Sequence, residues 1–173
     1  MYKIEYYEHM LRLYGATGEK IAKIRWHFVR DVRPSVVLDY GAGLGWFRAM
    51  RPMGLDVDSF DLDEFPVSHT GIRRGSYDLI CLWDVIEHLP NFSPLERLFD
   101  MTDHVALTVP IKPENTLLAD WKHFKPLEHL HYFSRDDIEV LFAGFGYELI
   151  KTGFPECPPR EDVQSFLFKK ENH

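Results

Sequence analysis

Apolar runs of strand length alternate with stretches of helical period along the chain, and that alternation predicts an α/β fold. Helical spacing runs from about Ile4 to Tyr14 and from Glu19 to Val29, with Thr17 and Gly18 as a break, so two helices precede the first strand. "SVVLDY" at 35–40 is that strand, and a helix follows through "WFRAMRPMG", broken near Pro52 and Gly54. The next strand is "DVDSFDLD" at 56–63. "YDLICLW" at 77–83 is a near-continuous apolar run, as expected of a parallel strand covered by helices on both faces. "NFSPLERLFDM" opens a helix with Ser93 as N-cap, Pro94 at the first position and Glu96 closing a capping box. "HVALTVP" at 104–110 is a strand, and "SRDDIEVLFAGFG" is a helix boxed by Ser134 and Asp137 with Gly144 near its end. "YELIKT" and "QSFLFKK" close the chain as an antiparallel pair.

Composition narrows the class. At 173 residues with 45% apolar content, the chain reads as one domain over 1–173, with N-terminal helices in 1–33 and an α/β core in 34–173. No apolar run approaches the roughly 18 residues of a membrane helix, and "MYKIEYYEHM" lacks the apolar stretch of a secretory signal. The expected location is cytoplasmic. Cys81 and Cys157 are the only cysteines, which excludes a disulfide framework and a four-cysteine zinc site. A net charge of −7 disfavours nucleic acid as a partner and favours a small neutral or cationic molecule.

The stretch "VVLDYGAGLGWF", Val36 to Phe47, places Gly41, Gly43 and Gly45 in the turn after the first strand. Such a turn lets backbone approach a ligand closely at the carboxyl edge of the sheet, and a nucleotide-like ligand is implied. The dinucleotide fingerprint needs a third glycine at position 46, where Trp46 stands instead, so a pyrophosphate cofactor such as NAD is disfavoured. Trp46 is read as a packing residue. Asp61, twenty residues after Gly41, ends the second strand where an acidic side chain accepts bonds from both ribose hydroxyls, with Asp63 as the alternative.

"VLDYGAGLGWF", "FDLDE", "YDLICLWDVIEHL" and "LEHLHYFSRDDIEVLFAGFGYELI" together resemble the class I S-adenosylmethionine-dependent methyltransferases, of the group similar to ubiquinone-pathway O-methyltransferases. The resemblance covers roughly Val36 to Ile150. It implies a Rossmann-like, mostly parallel sheet of six or seven strands with an antiparallel terminal strand. It also implies S-adenosylmethionine as methyl donor and a small-molecule acceptor. Asp39, Gly41, Ala42, Gly43 and Gly45 then line the methionine end of the donor, Asp61 holds the ribose, Leu62 flanks the adenine, and Leu82 and Trp83 border the donor. Only sixteen residues separate Asp61 from Asp78, too few for the usual helix, third strand and loop. "EFPVSHTGIRRGS" therefore reads as a loop, with at most a short edge strand, and supplies no identifiable adenine wall.

Chemistry-bearing residues follow the apolar run at 77–83. A helical turn in "WDVIEHL" brings Asp84, Glu87 and His88 onto one face. In one reading His88, with His129 or His131, removes the acceptor's proton as the methyl transfers. In the other, Asp84, Glu87, His88 and a later histidine such as His129 chelate a divalent ion, a spacing similar to that of small-RNA 2′-O-methyltransferases. In a third, Glu87 and His88 merely hydrogen-bond the following loop. The block "ADWKHFKPLEHLHYFS" is either an acceptor pocket or a loop of half-buried aromatics, and Tyr6, Tyr7, His9 and Tyr14 form either a lid or one face of a structural helix. The leading expectation is a methyltransferase acting on O or N of a small molecule. The rivals are a metal-assisted RNA 2′-O-methyltransferase and a non-catalytic donor-binding module.

Overall fold

The computed structural model describes residues 4–62, 69–158 and 160–171, without the side chains of 4–7, 9–14 and 16. Asp63 and the side chains of Tyr6, Tyr7, His9 and Tyr14 therefore lie outside the described residues. One helix, α1 (Ile4–Val29), precedes a sheet of six strands: β1 (Val36–Tyr40), β2 (Asp56–Phe60), β3 (Leu79–Trp83), β4 (His104–Pro110), β5 (Tyr147–Gly153) and β6 (Val163–Lys170). The strands lie in the order β2-β1-β3-β4-β6-β5, and β6 runs antiparallel to both β4 and β5. The pairs β1–β2, β1–β3 and β3–β4 are all parallel. Chain order reverses on either side of β1, which opens a crevice at the carboxyl ends of β1 and β3.

Alternation along the strands divides the core into two layers. Leu38, Ile80, Leu82, Val105, Leu107, Phe166 and Phe168 face α3 (Ser93–Phe99) and α4 (Arg135–Gly144). Val37, Leu79, Cys81, Trp83, Ala106 and Leu167 face the other way, against Trp26, Phe28 and Val29 of α1 and Phe47 of the one-turn helix α2 (Trp46–Ala49). All of β3 is buried, as its apolar run implies. Among the described residues no helix is long and apolar enough to cross a membrane.

Three local expectations are corrected. The first is the break at Thr17 and Gly18, where α1 runs on without interruption. Gly18 is buried, and a Cβ there would stand 2.7 Å from the Trp46 indole. Its small size serves close packing rather than helix termination, which also accounts for Trp46 as a packing residue. The second is the length of α2, which ends at Ala49, because Arg51 precedes Pro52 and is biased away from helical geometry. The third is the cap of α3, where Phe92 is the N-cap and Asn91 Oδ1 accepts from Ser93 N at 3.1 Å, so the Ser93–Glu96 box does not form. The Ser134–Asp137 box at α4 forms as read.

Between β2 and β3 the described residues 69–78 form no strand, only an isolated pairing of Tyr77 with Thr102. Arg73 fastens this crossover to β2. Its guanidinium bonds both oxygens of Asp58 and lies 2.8 Å from Asp56, and the Tyr77 hydroxyl donates to Asp58 at 2.9 Å.

A buried ion network ties α1 and the β5–β6 loop to the carboxyl edge of the sheet. Arg160 takes both oxygens of Asp84 at 2.8 Å and Glu156 at 2.6 Å, while Arg25 reaches Glu156 at 2.6 Å and Asp84 at 2.7 Å. The Arg25 guanidinium also lies 5.1 Å from the Trp83 ring centroid. Burial pushes the Asp84 carboxyl up, but Arg160 and Arg25 outweigh it and hold it well below the usual carboxylate range. A depressed folded-state pKa contributes stability above about pH 4 that fades as Asp84 protonates at lower pH.

Two outcomes follow for stability. The Glu156 side chain is wholly buried, so Glu156→Ala leaves two guanidiniums under-compensated and costs about 3–5 kcal/mol in urea denaturation at neutral pH. Gly18→Val forces the Trp46 indole off α1 at about 1–3 kcal/mol, and a Gly18→Val/Trp46→Ala double variant recovers part of that loss by the same measurement.

Candidate functional site

The glycine turn is held to the end of β2 by backbone bonds. Gly41 N and Ala42 N both donate to Phe60 O, at 2.8 and 3.0 Å, and Gly45 N closes the turn on Ala42 O at 2.8 Å. Gly41 has φ +77°, and a Cβ there would meet Val85 Cγ2 at 2.5 Å, so neither the conformation nor the space admits a side chain. Gly43 differs. It too has positive φ, yet among the described residues no heavy atom beyond its chain neighbours lies within 4 Å of where its Cβ would stand, which leaves room there for a ligand.

Two carboxylates flank this turn. Asp61 Oδ2 accepts from Gly43 N at 2.7 Å, which places its carboxylate beside the open glycine. Asp39 is buried and its Oδ2 has no hydrogen-bond partner among the described residues. Burial pushes its carboxyl up to about 7, with Arg25 opposing and Asp61 reinforcing the shift. A buried oxygen with unused accepting capacity beside an open turn fits a positively charged or hydrogen-bonding ligand group.

The other residues expected to contact the donor are distributed unevenly. Leu62 is 75% exposed, with no described wall beside it. Leu82 is a correction: it is fully buried with Leu38, Ile80 and Leu107 on the α3 and α4 face, so it offers no surface to a donor. Strand alternation decides this, because the neighbouring Trp83 points to the α1 side, where it meets Phe47 edge-on at 5.2 Å and lies under Arg25.

Beyond β3 the chain makes a single turn, Ile86–His88, that presents an acid and an imidazole. The Glu87 carbonyl accepts from Leu130 N at 2.7 Å and His131 N at 3.2 Å, which docks the later histidine block on this turn. His88 Nδ1 donates to Glu128 O at 2.9 Å, which fixes the ring and leaves Nε2 as the nitrogen free of that bond. The His129 ring meets His88 edge-on at 4.8 Å. Ligand atoms of Glu87, His88 and His129 lie within 4.8 Å of one another. Burial, with the neighbouring His88, lowers His129 to about 4, and burial beside Asp84 pushes the Glu87 carboxyl well up. Glu87 Oε2 is buried without a partner among the described residues.

Asp84 and His131 stand apart from this cluster. Asp84, at φ +59°, turns its carboxylate into the Arg25–Arg160 network, so it is not a fourth ligand beside Glu87. His131 Nε2 donates to Leu89 O at 2.9 Å and its ring stacks between Phe92 and Phe133. That side borders a cavity of about 420 Å³ against Val140 and Leu141. A second cavity of about 420 Å³ lies at the opposite, amino edge of the sheet, lined by Arg33, Tyr77, Asp78, Asp100 and His104.

The aromatic block both packs and borders the site. Trp121 is buried, and rings run from it through Tyr132 and His129 to His88 at centroid distances of 6.3, 6.3 and 4.8 Å. Trp121 Nε1 and the Tyr132 hydroxyl are buried and unpartnered in the protein. Arg25, Glu156 and Arg160 escaped the sequence reading, since more than fifty positions separate Arg25 from Asp84 and Asp84 from Arg160, and no local pattern marks such a pair.

Comparison with known proteins agrees with this architecture. A 1,6-didemethyltoxoflavin-N1-methyltransferase from Burkholderia thailandensis, solved with its substrate and S-adenosylhomocysteine, superposes with a TM-score of 0.67 at 15% identity, covering 99% of this chain and 92% of that one. Magnesium protoporphyrin IX methyltransferase from Synechocystis PCC 6803, with bound SAM, gives 0.60 at 16% identity over 90% of this chain and 81% of that one. Human N-acetylserotonin methyltransferase in complex with SAM gives 0.66 at 12% identity, covering 98% of this chain and 56% of that one. No curated protein matches. The model of a methyltransferase domain matches residues 6–152, and the chain belongs to that methyltransferase domain family.

Proposed function

We propose that the chain is an S-adenosylmethionine-dependent methyltransferase that acts on O or N of a small-molecule acceptor. The observation that carries this reading is the open Gly43 face between the buried, unpartnered Asp39 Oδ2 and the Asp61 carboxylate, at the sheet edge of a methyltransferase domain. Asp39 with Gly41, Ala42, Gly43 and Gly45 holds the methionine end, where an ammonium answers the unused oxygen. Asp61 holds the ribose. When bound, the donor supplies a methyl group already activated as a sulfonium, so alignment of the acceptor provides most of the acceleration.

The chain's own residues then manage the acceptor's proton. His88 is fixed through Nδ1 to Glu128 O, and its Nε2 is the accepting atom. His129, lowered to about 4 by burial and the neighbouring His88, and Glu87, its carboxyl raised by burial and by Asp84, border that atom. Trp121 and Tyr132 extend the same wall as hydrogen-bonding aromatics. The shortened crossover between β2 and β3 supports a reduced version of the family sheet, and the N-terminal half of α1 is the candidate lid. Membership of the group similar to ubiquinone-pathway O-methyltransferases rests on the sequence resemblance.

A second reading is favoured by one cluster. Glu87, His88 and His129 offer three convergent ligand atoms, and the His88–Glu128 bond is the kind of outer contact that orients a metal-bound imidazole. These residues fit a divalent ion, which would draw the proton from Glu87 and acidify an acceptor hydroxyl.

Calorimetric titration tests the first reading: S-adenosylhomocysteine binds at micromolar Kd, NAD does not, and Asp61→Ala weakens the former at least tenfold. Absence of binding by the wild type refutes it. For the second reading, Mn²⁺ titration followed by electron paramagnetic resonance shows one site in the wild type and none in His129→Ala. An identical Mn²⁺ signal in both proteins rules the cluster out as ligands.

A further inference from the structure

Of the residues that the sequence offers as a proton acceptor, His131 is left outside the acid–imidazole cluster. Its ring lies 4.8 Å from Phe92, the residue that caps α3, and 5.8 Å from Phe133, so three rings stand side by side. They form one wall of the cavity of about 420 Å³ against α4, where Leu141 faces them and Val140, 72% exposed, marks the open rim. A space of that size suits a small molecule.

The polar groups around it are of one kind. His131 Nε2 donates to Leu89 O at 2.9 Å, so Nδ1 of the neutral ring is an acceptor, and it has no partner among the described residues. Asp137 takes both bonds of the α4 cap on Oδ2, from Ser134 Oγ at 2.7 Å and Ser134 N at 2.8 Å, and these hold its carboxyl below the usual carboxylate range. Its Oδ1 is left over. Among the described residues no lysine or arginine lines the cavity, and the neighbouring Arg135 is taken by Glu139 at 2.6 Å. Aromatic faces, a nitrogen lone pair and an uncompensated carboxylate together favour a flat ring carrying an ammonium, and disfavour the same ring carrying a carboxylate.

We infer that this cavity binds a small aromatic amine, at a site separate from the donor turn and from the acid–imidazole cluster. Glu87, His88 and His129 do not line it. Tyr132 does, and its ring stands 6.3 Å from His129, so an occupant rests against the segment that carries His129 without touching the cluster. The inference stands independently of the methyltransferase reading.

The test follows the histidine ring resonances of the whole protein by NMR, at mildly alkaline pH, during titration with phenethylamine and, separately, with hydrocinnamate, which carries a carboxylate on the same ring and chain. The His131 signals are assigned by their loss in His131→Asn. Phenethylamine shifts them saturably and leaves His88 and His129 in place, while hydrocinnamate binds at least fivefold more weakly. Val140→Arg, a change at an exposed helix position whose fold is checked by thermal melting, removes that preference by placing a cation at the rim. Absence of a saturable shift at His131 overturns the inference. So do shifts centred on His88 and His129, equal binding of the two probes by the wild type, or a preference that survives Val140→Arg.

Discussion

The carboxylate of Asp84 is held by two arginines drawn from opposite ends of the chain, and the working edge of the sheet is organised around that clamp. Arg25 comes from α1, Arg160 and Glu156 from the β5–β6 loop, and Asp84 from the first residue after β3. Glu156 is wholly buried and the other three are only partly so, and its carboxylate is compensated by both guanidiniums, which also pair with Asp84. The clamp also holds Asp84 in a left-handed conformation. In consequence Val85 presses on Gly41 on one side, and the turn carrying Glu87 and His88 leads away on the other. The clamp thus lies between the glycine turn, held to β2 by its own backbone bonds, and the acid–imidazole cluster, held to the histidine block by the Glu87 carbonyl.

Folding leaves few buried polar atoms without partners, because each costs about 1–3 kcal/mol. Among the described residues such atoms occur both in the packed core, at Trp46 Nε1, Trp83 Nε1 and Ser165 Oγ, and where chemistry is proposed, at Asp39 Oδ2, Glu87 Oε2, Trp121 Nε1 and the Tyr132 hydroxyl. The latter four belong to the strand before the glycine turn and to the acid–imidazole cluster with its aromatic block, near the carboxyl ends of β1 and β3 where the crevice opens. The raised Asp39 and Glu87 carboxyls and the lowered His129 share one cause, removal from water, so this edge carries less charge than its composition suggests.

Much of the fold was legible because its signals are local. The buried run at β3, the glycine turn, the Ser134–Asp137 box and the terminal antiparallel pair each depend on residues close in sequence. Misreadings arose where a local signal had a distant explanation. Gly18 resembles a helix break, yet its small size answers Trp46, which packs across from α2. Leu82 follows the donor side of the resemblance, yet strand alternation sends it into the opposite core. Asp84 sits at metal-ligand spacing from Glu87 and His88, and two arginines from elsewhere claim it first.

The sequence by itself determined the class of fold, the position of the glycine turn and the residue types from which the proposed site is made, because hydrophobic period and glycine geometry act over a few residues. Tertiary structure alone decided which of those residues meet. Only the folded chain brings His129 to Glu87 and His88 and turns His131 away to Phe92 and Phe133. The physical reason is that burial and charge compensation are properties of the assembled sheet edge, where partners more than a hundred positions apart, such as Arg25 and Glu156, share one desolvated space.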